Sequence, residues 1–567
     1  MGLRHTIIKL FNRGLLQAFE AAAADPAGAQ REALARLVGA HGQAGYLRRH
    51  GVAGADVARF RTSLPVVDYD GLRPFIAPIV EGGWPAVGEL TVGERVEMFL
   101  KTSGTTGPAK LLPVTASYVA EADAGRRIWV ERMLADDDRN GDGIHLAIIS
   151  PMHESRSPGG IPVGSNTGRI FMSQPSLVRA FAPVPYPVFS LPEFDLRYYL
   201  ILRFAAGRHD VGTLTTANPS TVLLLCRKLM QEGESIADDI EAGRSCSGDR
   251  AARLAAASFG EFVERGEAEA AMRRWSKPDR KRAGAVRRAL AEGAEGVLAR
   301  LWPKLTTVNC WLGGHAPFYI RQLEPYLAKG AGRLPLRDPG FSASEGFFGV
   351  PMGAETAEGV LHVRGAFMEF VPEGETPERT LLAHELEVGG RYELIVSTGG
   401  GLWRYAMRDV VEVTGHYRAT PLVRFLHKAG NILSITGEKV TESHAVAAAT
   451  RLSERFAIEN ACAAIALTDP PRYVVAVEPA TDAPLDAGAM AEFWDGAMAA
   501  VNVEYAEKRA SGRLGPAEVR LTAPGAFVRW REQRVRAGAP DGQVKLPPLS
   551  RTLDTLEVEL LTPEVDP

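Results

Sequence analysis

Apolar side chains recur near the amino terminus at Ile7, Ile8, Leu10, Phe11, Leu15, Leu16 and Phe19. This is the spacing of an amphipathic helix with one face against a larger body. The chain continues to about residue 70 as helices rich in Ala, Arg and Leu, and then breaks into Pro-bounded turns. "VEMFLKTSGTTGPAKLLPVT" sets a short apolar strand on each side of a Gly/Ser/Thr run, and "IHLAIIS", Ile144 to Ser150, predicts a buried strand stopped by Pro151. From about Pro219 to Trp302 the spacing turns helical, with many Arg, Glu and Ala residues. Between Leu305 and Val413 apolar, partly alternating runs return in "TTVNCWL", "GVLHVRGAFMEFV", "YELIVST" and "DVVEVTG". A helix from Glu442 to Phe456 and a strand "RYVVAVEP" follow. Strands and helices intermixed in this way predict an α/β architecture, with residues from about 430 onward as a second, smaller domain and Ala429–Gly430 as its hinge.

Composition narrows the function classes. With 567 residues, two to four domains are expected. A formal net charge of -3 argues against nucleic acid as the main partner, because neutralising phosphates needs a concentrated basic face. The one strongly basic stretch, "RRWSKPDRKRAGAVRR", is expected to be a solvated helical face. The four cysteines are scattered without a CxxC pair, which suggests a reducing compartment and no structural zinc. Neither a signal peptide nor an apolar run of membrane-spanning length is found, so a cytoplasmic protein is expected. Gly2 and Thr6 fit the loose myristoylation pattern, yet the Ala/Gly/Arg-rich composition looks bacterial.

The candidate chemistry begins at "KTSGTTGPAK". A Walker loop needs GxxxxGK followed by Ser or Thr, whereas Gly104 and Gly107 lie only three positions apart and Lys110 follows later. What remains is a run of Thr102, Ser103, Gly104, Thr105, Thr106 and Gly107 ending in Lys110. Glycines admit backbone N–H groups close to phosphate oxygens, hydroxyls add donors and the ammonium adds charge, which suits a triphosphate. A flexible turn between strands has the same composition.

Further segments accompany the loop: "GFSASEGFFGVP", "GGLWRYAMRDVVEVTG", "FLHKAGNILSITGEKVTE" and "DGQVKLPPLSR". Together, and in this order, they resemble the adenylate-forming enzymes, and within them the acyl acid amido synthetases that conjugate auxin and jasmonate to amino acids in plants, with their bacterial relatives. The resemblance implies an adenylate-forming α/β fold, with a large N-terminal domain over 1–427, a hinge over 428–431 and a smaller mobile C-terminal domain over 432–567. It implies ATP and Mg²⁺, a small carboxylic acid and an amine or amino acid as partners, and a monomer.

Residue by residue, the resemblance places the phosphates on Thr102 to Gly107 and Lys110. Phe341 takes an aromatic position that can stack on adenine, with Ser342, Ala343 and Ser344 beside it, and Glu345 takes the position of the acid that holds magnesium. Asp409 occupies the position that accepts from both ribose hydroxyls. Arg424 and Lys428 lie near the nucleotide and the hinge, Gly313 and Gly314 allow close approach to the backbone, and Lys545 stands where a mobile lysine reaches the α-phosphate. Two positions depart from the family pattern: Ala406 replaces an arginine, and Arg408 replaces the glycine before Asp409. Lys439 is expected to be an exposed helix-entry residue and His315 structural. "SPGGIPVGSNTG", Ser157 to Gly168, resembles a segment near the acyl pocket, although a surface loop has the same composition. Three readings stand: an acyl acid amido synthetase, a ligase delivering the same adenylate to coenzyme A or a carrier thiol, and a non-catalytic nucleotide-binding protein.

Overall fold

In a computed structural model, the structure describes residues 3–52, 54–83, 88–102, 110–314, 316–430, 433–436, 438–481, 483–536, 539 and 544–550. They divide into two compact units. The first takes residues 1–312, 322–407 and 411–425, and the second 313–321, 408–410 and the chain from Leu426 onward.

The first unit begins with helices. Leu3–Ala24 forms the expected helix and buries Phe19, Ala22 and Ala23, whereas Phe11, expected on the same apolar face, is exposed. Its polar face is not wholly solvated, because Asn12 donates to Glu131 at 2.8 Å and accepts from Arg127 at 2.8 Å. The next helix, Pro26–His41, is started by Asp25, whose carboxylate accepts from the Gly28 N–H, and by a proline whose missing N–H costs nothing at that position. Leu34 and Leu37 from this helix, Phe60, Leu72 and Ile76 pack against Phe367, Met368, Trp403 and Tyr405. They form the core beneath a seven-stranded sheet ordered Phe341–Ala343, Gly346–Val350, Glu358–Leu361, Thr420–Lys428, Tyr405–Tyr417, Arg391–Ser397 and Phe367–Pro372.

A second sheet is parallel throughout, in the order Leu336–Arg337, Thr307–Asn309, Val211–Thr215 and Ile144–Ala147. Val211 to Leu214 are all buried, as expected where helices cover both faces. Every residue of the Phe194–Ala206 helix except Asp195 is buried. The "IHLAIIS" strand is shorter than its apolar run, since Ile148 makes one further bond to Thr215 before the chain turns towards Pro151. The basic segment forms the Arg265–Trp275 and Arg280–Ala291 helices. It is not solvated throughout: Arg282 is buried and donates to the carbonyls of Ala206 and Leu301.

In a third sheet, Met98–Lys101 pairs antiparallel with Leu111–Val114 and parallel with Pro162–Gly164. Two glycines settle the choice between surface loop and packed segment for Ser157 to Gly168. A Cβ on Gly164 would stand 1.9 Å from the Met152 carbonyl oxygen, and one on Gly168 2.2 Å from the Met152 nitrogen. Here glycine is required for backbone to approach backbone.

The second unit holds a four-stranded sheet ordered Glu518–Leu521, Arg472–Pro479, Ile458–Ala466 and Leu549–Ser550. Glu442–Arg455 and Ala487–Val501 are its longest helices. Buried Glu438 organises its entry, accepting from the N–H groups of Ile435 and Thr436 and from the Tyr473 hydroxyl at 2.6 Å. Among the described residues no helix is long and apolar enough to cross a membrane.

Candidate functional site

The strand pair flanking the glycine run closes at its end, where the Thr102 N–H donates to the Lys110 carbonyl at 3.0 Å. Ser103, Gly104, Thr105, Thr106 and Gly107 lie outside the described residues. Lys110 is held by two phenols. Its Nζ donates to the Tyr405 hydroxyl at 3.4 Å and stands 5.8 Å from the Tyr69 ring centre and 6.0 Å from the Tyr405 ring centre. Tyr69 is itself fixed, because its oxygen accepts from the Leu111 N–H at 3.0 Å. Burial pushes its phenol pKa up, so Tyr69 is a neutral wall at neutral pH. The ammonium thus lies against two aromatic faces.

Phe341, Ser342 and Ala343 form a short strand that turns back at Ser344 and Glu345 into Gly346–Val350. Phe341 is half-buried, with its ring 6.0 Å from that of Phe425 in a stacked arrangement and 5.7 Å from Phe348. Glu345 is buried, and the adjoining Ser344 carbonyl accepts from the Tyr118 hydroxyl at 2.9 Å. Burial raises the Tyr118 pKa far above the usual phenol value, opposed by Arg169, and the Glu345 charge adds to the rise. Tyr118 therefore stays a donor and fixes the turn. Asp338 performs a related task, its two oxygens accepting from Leu312 N–H and Gly340 N–H, each at 2.8 Å. It holds the residue before Gly313 and the residue before Phe341 together. Sequence reasoning missed Tyr69, Tyr118, Asp338 and Tyr405; of these only Tyr405 sits in a quoted motif, and Lys110, Ser344 and Leu312, which they hold, are far from them along the chain.

In the second unit, Asp409 is buried, and Lys428 Nζ stands 2.5 Å from its Oδ1. The two expected nucleotide residues are therefore brought together as an ion pair. The Ala429 N–H bonds the Arg408 carbonyl at 2.5 Å. Arg408 adopts φ +61°, the left-handed region that favours glycine. Gly314 has φ +62° just before the Ala316–Leu327 helix, and the Ala316 N–H bonds the Gly313 carbonyl. His315 lies outside the described residues. Lys545 is half-buried and follows buried Val544, shortly before the Leu549–Ser550 strand. Lys439 is exposed, with Nζ 3.9 Å from Glu504, in keeping with a helix-entry residue. Arg424 belongs to the first unit, half-exposed, and pairs with Glu412 at 2.6 Å.

Among the described residues no group of three His, Cys, Asp or Glu side chains could hold a metal by itself. A nucleotide-bound magnesium needs less, since phosphates and waters complete its shell around one or two carboxylates. Buried Glu345 fits that limited role.

Comparison with known proteins decides the family. Three domains of one family match in sequence: the GH3 family N-terminal domain over residues 15–331, the central domain over 359–428 and the C-terminal domain over 442–554. The chain belongs to the GH3 family. Among its GH3 relatives, an indole-3-acetic acid-amido synthetase, GH3.8 of Oryza sativa subsp. indica, is 29% identical over 557 residues, covering 91% of this chain and 87% of the rice protein. Another, GH3.3 of Arabidopsis thaliana, is 26% identical over 556 residues, covering 91% of this chain and 88% of its own. In structure, the GH3.15 acyl acid amido synthetase matches with a TM-score of 0.82 at 20% identity, covering 99% of this chain and 97% of that one, which shows a shared fold. Lys110 lies in the GH3 N-terminal match, Asp409, Arg424 and Lys428 in the central match, and Lys545 in the C-terminal match. Phe341 to Glu345 fall between the first two.

Proposed function

We propose that this GH3 protein is an ATP-dependent acyl acid amido synthetase acting on a small carboxylic acid and an amine, with an amino acid as the favoured amine. The observation that carries the reading is the match to all three GH3 domains, with phenols holding Lys110 and the Ser344 carbonyl beside Glu345. In the first step a carboxylate oxygen attacks the α-phosphorus of ATP, pyrophosphate leaves and an acyl adenylate forms. In the second the amine nitrogen attacks the acyl carbon, AMP leaves, and the nitrogen loses its proton to solvent.

Lys110, held between Tyr69 and Tyr405, binds the polyphosphate with Thr102, Ser103, Gly104, Thr105, Thr106 and Gly107. Phe341 offers a face for adenine beside Ser342, Ala343 and Ser344. Glu345 would hold Mg²⁺, which when bound neutralises phosphate charge. Asp409 binds the ribose hydroxyls once Lys428 yields its carboxylate, with Arg424 a further nucleotide contact. Gly313 and Gly314 let the reacting groups approach the backbone, and Lys545 stabilises the charge on the α-phosphate. We place the domains at 1–427 and 432–567 and the hinge at 428–431. The φ of +87° at Gly430 supports a turning point there, and its positive sign rules out proline as a way to stiffen it. The protein is further read as a cytoplasmic monomer of bacterial type.

The test is pyrophosphate release by the full chain with magnesium ATP, a panel of aryl, indole and aliphatic acids, and amino acids or coenzyme A as acceptor, with products read by mass spectrometry. An acid-dependent amide is expected. A thioester, or no release despite ATP binding, would overturn the reading. Glu345→Ala should lower acid-dependent release by about a hundredfold or more, the scale of losing a preorganised electrostatic group; Gly430→Val should slow amide formation more than release. Unchanged rates in either variant would remove the corresponding assignment.

A further inference from the structure

Within the first unit lies a cavity of about 190 Å³ whose lining includes neither Lys110 nor any residue of the Phe341–Glu345 turn. Three helices enclose it: Leu3–Ala24 through Leu15 and Phe19, Pro26–His41 through Leu37, and Ala116–Asp136 through Ala124 and Ile128. These walls are apolar. An apolar cavity of 150 Å³ engineered in another protein accepts benzene, so the space suits a single ring or a branched hydrocarbon of similar size.

The polar part of the lining is unusual. His362 is 2% exposed, and neither ring nitrogen has a hydrogen-bond partner among the described residues. His41 is fully buried; its Nδ1 accepts from the Val92 N–H at 3.2 Å, which puts the ring proton on Nε2, and Nε2 has no partner among the described residues. Buried polar atoms are rarely left unpaired unless something else satisfies them. Two guanidiniums, Arg36 and Arg364, also line the space. Arg36 is anchored there, its Nη2 donating to the carbonyls of Arg364 at 2.9 Å and Gly365 at 2.6 Å. The carboxylate facing them is Glu121, which accepts from the Gly399 N–H at 3.0 Å and stands 3.9 Å from Arg36.

We propose that this cavity is a binding site for a small monocarboxylic acid with a compact hydrocarbon body, its carboxylate taken by Arg36 and the unpaired imidazole nitrogens. The charge balance supports an anion. Burial pushes Glu121 up to about 7, opposed by the Gly399 N–H and Arg36 and reinforced by Glu94, so near neutrality it is about half protonated. Burial pushes His362 down to about 4, helped by Arg364 and Arg36, and also lowers His41 against the pull of Glu94. The imidazoles are therefore neutral hydrogen-bonding groups, and the guanidiniums leave a positive excess that an apolar acid would complete.

The site is placed to influence the rest of the unit. The Ala116–Asp136 helix shows Glu121 to the cavity, while Tyr118, three residues earlier, bonds the Ser344 carbonyl beside Glu345. Glu121 also holds Gly399, shortly before the Leu402–Tyr405 segment. A bound acid that draws on Glu121 or Arg36 acts on both.

The experiment is fluorine NMR of the full chain without ATP, titrated with 4-fluorobenzoate and, as a neutral analogue, 4-fluorobenzyl alcohol. The expected result is a bound benzoate signal, weakened by about tenfold or more in Arg36→Gln, which removes the charge, and in Ala124→Leu, which fills the space. Arg36→Lys should retain part of the affinity, and Glu345→Ala all of it. Unchanged binding in both cavity variants, equal affinity for the alcohol, or no bound signal in the wild type at millimolar ligand would overturn the proposal. Should Ala124→Leu not fold, Arg36→Gln at the half-exposed rim still decides. The readout is independent of turnover, so a failure of the acyl-transfer reading leaves it standing.

Discussion

Arg408 shows how one departure from a family pattern is accommodated. The resemblance puts glycine at this position, and the backbone still has the glycine shape, with φ +61° at a side chain that is exposed. A left-handed conformation costs an L-residue about 1 kcal/mol. Arg408→Gly should therefore raise the urea midpoint by an amount worth about 0.5–1 kcal/mol, with Arg408→Val moving it the other way. If Arg408→Gly destabilises, the arginine side chain makes contacts worth more than the strain. Arg404, four residues earlier, has φ +45° as well, but in the core: it meets Glu369 through two bonds at 2.8 and 2.9 Å and also donates to the carbonyls of Arg61 and Leu64. There a full set of buried partners outweighs the backbone term.

At the scale of elements, packing distance decides which sequences are allowed. The Pro162–Gly164 strand and the Asn166–Met172 helix press against Ser150–His153, and glycine at 164 and 168 makes that possible. Gly168→Ala would put a methyl 2.2 Å from the Met152 nitrogen and 2.5 Å from the Pro151 carbonyl carbon and Ser150 oxygen, all backbone atoms that cannot swing aside. A loss of about 2–3 kcal/mol is expected in chemical denaturation, as for other overpacked sites. A neutral outcome would mean that the segment can lift from its neighbour. The Glu438 hub acts through bonds instead of contact. Burial would raise its carboxyl, but the Tyr473 hydroxyl and the Ile435 and Thr436 N–H groups outweigh that and hold it below the usual range.

Across the whole molecule, pH ties local burial to stability. Glu121 has a folded pKa of about 7 against 4.5 for the free side chain, so the folded state holds its proton more tightly. The resulting stabilisation is fully present below about 4.5 and is lost as the pH rises to about 7. Glu121→Gln keeps an oxygen for the Gly399 N–H and removes the titration. It should be more stable than the wild type by about 3 kcal/mol at pH 8, with the difference shrinking towards zero near pH 4.5. Urea unfolding at the two pH values measures this, and a pH-independent difference would show that Glu121 titrates normally.

Much of this protein was legible in its sequence. Local apolar spacing determined the amino-terminal helix, the strands on either side of the glycine run and the helical block from Pro219, because period and punctuation depend only on near neighbours. The order of the short motifs was enough to mark the family, including Lys110, Glu345 and Asp409. Tertiary structure alone decided how those residues are held. Tyr69 and Tyr405 reach Lys110 from opposite ends of the first unit, Asp338 joins Leu312 to Gly340, and Lys428 closes on Asp409. The cavity around His41, Glu121 and His362 likewise left no trace in any motif. Its residues come from helices and a turn hundreds of positions apart, and only folding gives buried groups a shared environment that sets their charge and leaves their hydrogen bonds open.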